Sequence, residues 1–292
     1  MCGRTSDAKD VKVRAPVRSE TLEDDQRDEY WRGFRSRACF FDFARCPSCS
    51  LLYSPTYFSQ ASLDRLYSSM PDNTAGAAPD VLSDTQSGYI SFLAKQRPLS
   101  GTYLEIGPDI GLATQAAFST GTLDRAILIE PNRAVHDELR ETTGPVPVEI
   151  AESLDDLQFP AQADNVILIH VLDHLIDPLT YLRDLRRHLA PGALLLAVVH
   201  NEASLLRRVL GTRWPPFCLQ HPQVFSKETL ADLLVAAEFS VVASRPTTNV
   251  FPLQHVVRTA ASLLGIEGKW TERLPKTKIR LRLGNMMIVA RA

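Results

Sequence analysis

The sequence predicts an α/β protein: a doubly wound, mostly parallel sheet with an antiparallel terminal strand pair, preceded by a small N-terminal module. Three observations predict it. From residue 101 onward, apolar runs of strand length alternate with helix-length amphipathic segments, the pattern of a parallel sheet with helices on both faces. A glycine turn follows the first of these runs and opens a helix. Ahead of that pattern, residues 31–58 crowd aromatic side chains together with Cys39, Cys46 and Cys49, which suggests a small module with its own staple.

Composition narrows the class before any motif is read. The 292 residues are 45% hydrophobic and 23% charged, ordinary values for a globular chain and far from those of a disordered one. Lys and Arg number 32 against 34 Asp and Glu, a net charge of −2, so no bulk charge draws the chain to nucleic acid or to a membrane surface. The longest purely apolar run, Ala193 to Val199, is too short to span a bilayer, and the first residues carry no apolar signal core. Five cysteines outside a small secreted framework lead to the expectation of a reducing, cytoplasmic setting.

Taken in order, residues 4–30 are polar and aperiodic and read as an arm or long loop. With the aromatic stretch they form a first unit, residues 1–60; a helical connector, 61–98, follows, and the main domain spans 99–292. Its strands are expected at Tyr103 to Ile106, Ala126 to Ile129, Val146 to Ile150, Val166 to Ile169 and Ala193 to Val199. One helix is well marked: Asp177 caps it, Pro178 takes its first position, and Leu179, Leu182, Leu185 and Leu189 lie on one face before Pro191-Gly192 stops it. In the tail, Lys276, Lys278, Arg280 and Arg282 alternate with apolar residues as a half-exposed strand, and Met286 to Ala290 forms a second, so the two are expected to close as an antiparallel pair. The basic face of the first reads as a solvated edge.

The chemistry concentrates at Leu104-Glu105-Ile106-Gly107-Pro108-Asp109-Ile110-Gly111. Gly107 permits a sharp turn, and Gly111 lets the helix pack closely and the backbone approach a ligand. Glu130 ends the second strand about twenty residues on, where a carboxylate can accept from both hydroxyls of a ribose. A dinucleotide needs bare backbone under its pyrophosphate, and Asp109 is a poor neighbour for that. A ligand with a cationic amino end suits Asp109 and Glu105 instead, as S-adenosylmethionine would.

This E-x-G-x-x-x-G turn with an acidic second strand resembles the class I S-adenosylmethionine-dependent methyltransferases, which share a Rossmann-like fold. The segments Asp164 to Pro178 and Leu189 to Leu196 are similar to the fourth-strand and fifth-strand regions of a large bacterial branch of that family, and Arg213-Trp214 with His221-Pro222 to Phe225-Ser226 to the segment beyond. The resemblance covers roughly residues 100–292. It implies that Glu105, Gly107, Asp109 and Gly111 surround the methionine part of the cofactor, that Glu130 binds the ribose, that Glu152, Ser153 and Leu154 lie near the adenine, and that His170 sits beside the sulfonium. Asp109 stands where the family commonly has glycine.

Methyl transfer from a sulfonium needs alignment and exclusion of water, with a general base when the acceptor is a hydroxyl. His170, His200 and His221 are the candidates for base or acceptor positioning; His221 lies in an irregular, proline-bounded segment that could cover the cofactor. His170-Val171-Leu172-Asp173-His174 also approaches an inverted zinc-peptidase pattern, H-x-x-D/E-H. That pattern needs both rings on one helical face, and a strand ending at His170 breaks the spacing, so His174 reads as a capping or supporting residue.

Arg45-Cys46-Pro47-Ser48-Cys49 is half of a zinc-ribbon pattern, a C-x-x-C knuckle between aromatic strands. The region 2–58 resembles the zinc-ribbon-like module that often precedes these methyltransferase domains, which implies Cys2, Cys46 and Cys49 as ligands of a structural zinc, with Cys39 the nearby thiol for the fourth place. Cys218, alone among prolines, reads as a buried structural thiol. The expected function is S-adenosylmethionine-dependent methyl transfer to a small-molecule or carbohydrate-type acceptor, without nucleic-acid or membrane partners. The alternative is a methyltransferase-like domain that serves only in binding.

Overall fold

The computed structural model describes residues 11–31, 39–68, 79–157, 162–263, 274–275 and 277–292. Cys2, Phe34 and Lys276 lie outside them. The N-terminal part contains strands β1 (Val11–Val13) and β2 (Val17–Arg18), helix α1 (Asp24–Trp31), strands β3 (Cys39–Phe40), β4 (Phe43–Arg45) and β5 (Leu52–Tyr53), and helices α2 (Gln60–Ser68) and α3 (Pro79–Ala94). The main domain continues with β6 (Ser100–Ile106), α4 (Leu112–Thr120), β7 (Thr122–Ile129), α5 (His136–Glu141), β8 (Val148–Ala151), β9 (Ala163–Ile169), α6 (Pro178–Arg186), β10 (Leu189–His200) and α7 (Leu205–Leu210). It closes with β11 (Gln223–Val224), α8 (Lys227–Ala236), β12 (Ser240–Pro246), β13 (Asn249–Pro252), α9 (Leu253–Leu263), β14 (Lys278–Leu281) and β15 (Asn285–Arg291).

A seven-stranded sheet in the order β12-β15-β10-β9-β6-β7-β8 organises the domain. Strands β6 to β10 run parallel, and β15 inserts antiparallel between β10 and β12. Strand periodicity divides the core between the two faces. On β10, Leu195, Ala197 and Val199 join one apolar cluster while Leu194, Leu196 and Val198 join the other; Ile288 and Val289 of β15 divide the same way. Both faces are buried, which is why these strands read as continuous apolar runs. Helix α3 belongs to this core through Tyr89, Ile90, Phe92 and Leu93.

Four readings of the sequence are corrected. From residue 11 on, the polar N-terminal stretch is not a free arm: it supplies β1, β2 and α1, and Trp31 is 1% exposed, while residues 4–10 lie outside the described residues. The two C-terminal strands do not pair with each other; β14 pairs with β13, and β15 with β10 and β12. The leucine-marked helix stops at Arg186, and Leu189 already belongs to β10, because Gly192 takes a positive φ of 78° that lets the strand start early and run through Pro191-Gly192. Lys278, read as a solvated cation, bridges Asp80 and Asp84 of α3.

The aromatic stretch does not close on itself. Its four-stranded sheet, β1-β4-β5-β11, takes its last strand from residues 223–224 of the main domain. Phe40, Phe43 and Leu52 pack with Trp214, Phe217 and Val224, and Trp31, Phe41 and Leu63 pack with Leu219. The N-terminal residues and the segment after β10 thus share two cores.

Candidate active site

The turn after β6 has the backbone that its residues predict. Gly107, Asp109 and Gly111 all have positive φ, at 65°, 53° and 76°. Gly111 caps α4 in the left-handed region, and a Cβ there would stand 2.6 Å from Thr142 Cγ2 and 2.9 Å from Leu139 Cδ2. Asp109 adopts the same region at some strain, since only glycine enters it freely. Its backbone N–H donates to Glu130 Oε2 at 3.2 Å.

Two carboxylates frame this turn. Glu130, at the end of β7, accepts from the backbone N–H of Asn132 at 2.8 Å as well as from Asp109. Burial raises its pKa against those two hydrogen bonds. Glu105 is 2% exposed, and its Oε2 accepts from the hydroxyls of Tyr103 and Thr114, each at 2.6 Å. Burial pushes it up to about 7, the two hydroxyls opposing. Among the described residues neither buried carboxylate makes an ion pair with a lysine or arginine, an arrangement that a cationic ligand would relieve. Each carboxylate oxygen holds two lone pairs, so Glu130 keeps acceptor capacity beyond its backbone bonds.

Beyond β8, Ser153 forms a reciprocal cap with Asp156, and Leu154 is 7% exposed. Glu152 receives Arg133 Nε at 2.7 Å. These residues follow the carboxyl end of β8, on the same end of the sheet as the glycine turn after β6, because β6, β7 and β8 run parallel.

The histidines converge at the carboxyl ends of β9 and β10, where ligands bind in open α/β sheets. Register explains the convergence. Ile169 of β9 pairs with Val198, and His200 pairs with Asn285 at the start of the antiparallel β15, so His170, His200 and Asn285 occupy neighbouring strand ends. The His170 and His200 rings stack with centroids 4.4 Å apart. Asn285 Oδ1 lies 2.9 Å from His200 Nδ1, and Asn285 Nδ2 lies 3.4 Å from His170 Nε2. His170 itself has a φ of 54°, strain of the kind that collects at functional sites. Val171, the next residue, would lie 3.3 Å from a Cβ at Gly107, so the histidine turn and the glycine turn abut.

His221 joins the cluster from the segment after β10. Its ring centroid is 5.0 Å from His200, and its Nε2 is 3.2 Å from His174 Nε2. His174 Nδ1 meets the Tyr67 hydroxyl at 3.0 Å. His221 Nδ1 lies 2.7 Å from the Pro216 carbonyl and 3.4 Å from Cys218 Sγ. Burial would lower the His221 pKa, but Cys218, Asp173 and the Pro216 carbonyl outweigh it and push it up to about 9. Burial lowers His174 and His200 well below the usual imidazole value, so both are neutral at pH 7. Asp173 is fully buried under these rings; burial alone would raise it, and His170, His200 and His221 hold it low.

The N-terminal residues hold His221 in place. Tyr57 donates to the Leu219 carbonyl at 2.7 Å, Ser54 N–H to the Pro222 carbonyl at 2.7 Å, and Gln220 Nε2 to the Trp31 carbonyl at 2.7 Å. Gln223 Nε2 donates to the Leu172 carbonyl at 3.0 Å and to that of Leu175, tying the same segment to the histidine turn. Arg45 reaches Glu202 with both terminal nitrogens.

The structure therefore brings His170, His200 and His221 into one cluster, together with His174, which the sequence reading set aside. The zinc-peptidase alternative is corrected: both His174 nitrogens face protein partners, Tyr67 and His221. Cys218 is not an isolated core thiol but a half-buried neighbour of His221. Tyr67, Trp214 and Asn285 were not singled out as site residues. Trp214 had a local signal in Arg213-Trp214; Tyr67 and Asn285 had none, since only tertiary pairing brings them in.

The cysteines divide. Cys46 and Cys49 sit in the tight turn between β4 and β5, where Ser50 N–H donates to the Cys46 carbonyl at 2.9 Å, and they pack against the main core. Cys39 belongs to the cluster around Trp31. Among the described residues, Cys39, Cys46 and Cys49 do not gather as a ligand set; the one cluster of metal-ligand type is His170, Asp173 and His200.

Comparison with known proteins agrees with this fold. Among solved structures, a chain from the complex of the Haloferax volcanii Trm112 methyltransferase activator with its methyltransferase is similar at 17% identity and a TM-score of 0.52, covering 77% of this chain and 99% of that one. An S-adenosylmethionine-dependent methyltransferase from Leishmania major is similar at 13% identity and a TM-score of 0.51, over 80% of this chain and 82% of that one. At these identities the likeness is one of fold. Comparison with curated proteins gives no match. The family model described as a methyltransferase domain matches residues 84–244, more than half of the sequence, from α3 to β12. The chain belongs to this methyltransferase domain family.

Proposed function

We propose that the protein methylates a small-molecule or carbohydrate-type acceptor that loses a proton to the histidine cluster. The carrying observation is the junction of the two halves of the site: the glycine turn with its buried carboxylates abuts the turn that bears His170, and His200 and His221 complete the cluster. On this reading Glu105, Gly107, Asp109 and Gly111 hold the amino-acid end of the cofactor. Glu130 takes the ribose, Glu152, Ser153 and Leu154 flank the adenine, and His170 borders the sulfonium. The bound cofactor supplies an electrophilic methyl group. The chain supplies alignment, a dry surrounding and a proton acceptor. Burial of Asp173, His221 and Trp214 favours a small acceptor, because the cluster lies under the segment that the N-terminal residues strap down.

We propose further that the β4–β5 turn descends from a zinc-ribbon knuckle. Cys2 lies outside the described residues, and Cys39, Cys46 and Cys49 are not grouped as metal ligands among them, so no step of the reaction is derived through zinc there.

The test is direct. Calorimetry with S-adenosylmethionine and its demethylated product should show saturable binding that Glu130→Ala abolishes. Labelled methyl should then pass to hydroxyl- or amine-bearing metabolites in a screen, and His221→Gln should suppress transfer without loss of cofactor binding. Absence of cofactor uptake at millimolar ligand would refute the reading.

A further inference from the structure

We infer that His170, Asp173 and His200 form a binding site for a divalent first-row transition cation, Zn²⁺ or a close analogue. The donor set comes first. One ligand atom from each of the three residues lies within 4.8 Å of the other two. Two imidazoles and one carboxylate suit zinc and its neighbours, and provide too few oxygens for magnesium or calcium.

Unpartnered polar atoms are the second, independent observation. Asp173 is 0% exposed, and its Oδ1 has no hydrogen-bond partner; neither does His170 Nδ1, also buried. These two groups do not satisfy each other, since the closest approach, His170 Nδ1 to Asp173 Oδ2, is 3.8 Å, beyond hydrogen-bond reach. Asp173 Oδ2 is already engaged by the His200 N–H at 3.0 Å. A fully buried carboxylate oxygen without a partner is costly, and such oxygens are normally paired or coordinate a metal.

Orientation is the third. A metal-binding imidazole commonly gives its other ring N–H to a fixed acceptor. Asn285 Oδ1 provides this for His200 Nδ1 at 2.9 Å and leaves Nε2 as ligand. Bonds of about 2.1 Å in a tetrahedral site place ligand atoms about 3.4 Å apart, so the side chains would close by about 1 Å around the ion. His170 keeps 28% of its side chain exposed, which supplies an entry path. Three protein ligands leave a coordination position open.

On the methyl-transfer reading, on which this clause alone rests, the open position would take an acceptor oxygen and favour its deprotonated form. His170 and His200 would then serve the ion. The site itself needs no methyl transfer.

The experiment uses the full chain with Cys46→Ser and Cys49→Ser, so that thiolates do not compete. Zn²⁺ calorimetry should give one site per chain, and Co²⁺ should give a visible absorption band with no sulfur charge transfer. His170→Gln and His200→Gln should each weaken Zn²⁺ at least tenfold while the far-UV circular dichroism stays that of the folded parent; a millimolar excess of Mg²⁺ should not compete. No uptake by the double cysteine variant, or unchanged uptake in both histidine variants, overturns the site. Cofactor affinity, measured on the metal-free protein, fails or holds separately and so distinguishes failure of the catalytic reading from failure of this one.

Discussion

Glu105→Gln is the substitution whose effect the structure determines most closely. The side chain is fully buried and hydrogen-bonded to Tyr103 and Thr114, and burial pushes its pKa from 4.5 to about 7. An acid whose folded pKa lies above its unfolded one is more protonated in the folded state, so stability falls as pH rises through that interval. The penalty starts near pH 4.5, grows to pH 7 and is complete above it. At 1.36 kcal/mol per unit it amounts to about 3 kcal/mol at pH 8. Glutamine keeps an acceptor oxygen for the two hydroxyls and carries no charge; weaker hydrogen bonding costs it about 1 kcal/mol. Urea unfolding without ligand should therefore find the variant about 2 kcal/mol more stable than the parent at pH 8, and equal or slightly less stable at pH 4.5. The same change should weaken S-adenosylmethionine, because a buried anion that faces no cation is useful only to a cationic ligand. A stability difference independent of pH would refute the reasoning, as would a variant that gains stability and binds cofactor as tightly as the parent.

Other outcomes follow from the same geometry. Gly111→Ala places a Cβ against Thr142 and Leu139 at a φ of 76°, and thermal unfolding should register a loss of about 2–4 kcal/mol. His221, raised to about 9, contributes stability fully present below pH 6.5 and lost as pH rises through 9. If it accepts the proton, the methyl-transfer rate should climb with pH towards 9, and His221→Gln should flatten that profile. Tyr57→Phe removes one hydrogen bond to the Leu219 carbonyl, an effect of about 1 kcal/mol in chemical denaturation, and should lower kcat more than it changes cofactor affinity.

Local features of the sequence carried the main domain. The turn at Gly107 and Gly111, the acidic end of β7 and the capped start of α6 are each encoded within a few residues, and strand and helix periods do not depend on distant partners. Where the reading failed, the determinant was remote. β14 looked like the partner of β15 because it is its neighbour in sequence, yet its hydrogen bonds go to β13 and Lys278 goes to α3. The polar 4–30 stretch gave no periodicity, since β1 and β2 are two or three residues long and α1 is barely amphipathic. His174 looked incidental because its two partners, Tyr67 and His221, are separated from it by 107 and 47 residues.

That remoteness bears on what the N-terminal residues are for. The segment between the single 3₁₀ turn at residues 211–213 and α8 has only the two-residue strand β11 as regular structure, so little within it fixes the position of His221. Its carbonyls at Leu219 and Pro222 are bonded instead by Tyr57 and Ser54, its Gln220 by Trp31, and its Trp214 and Phe217 pack on Phe40 and Phe43. Each of these bonds is modest alone, but leaving a buried carbonyl unpaired costs about 1–3 kcal/mol, so together they select one placement of the segment. The N-terminal part contributes Tyr67 to the histidine chain by the same contact surface. A unit that shares a strand, two apolar clusters and these hydrogen bonds with the segment belongs to one architecture with the candidate site. Its aromatic richness follows from that role: the side chains that sequence alone suggested were holding a small module together are holding His221 over the ends of β9 and β10.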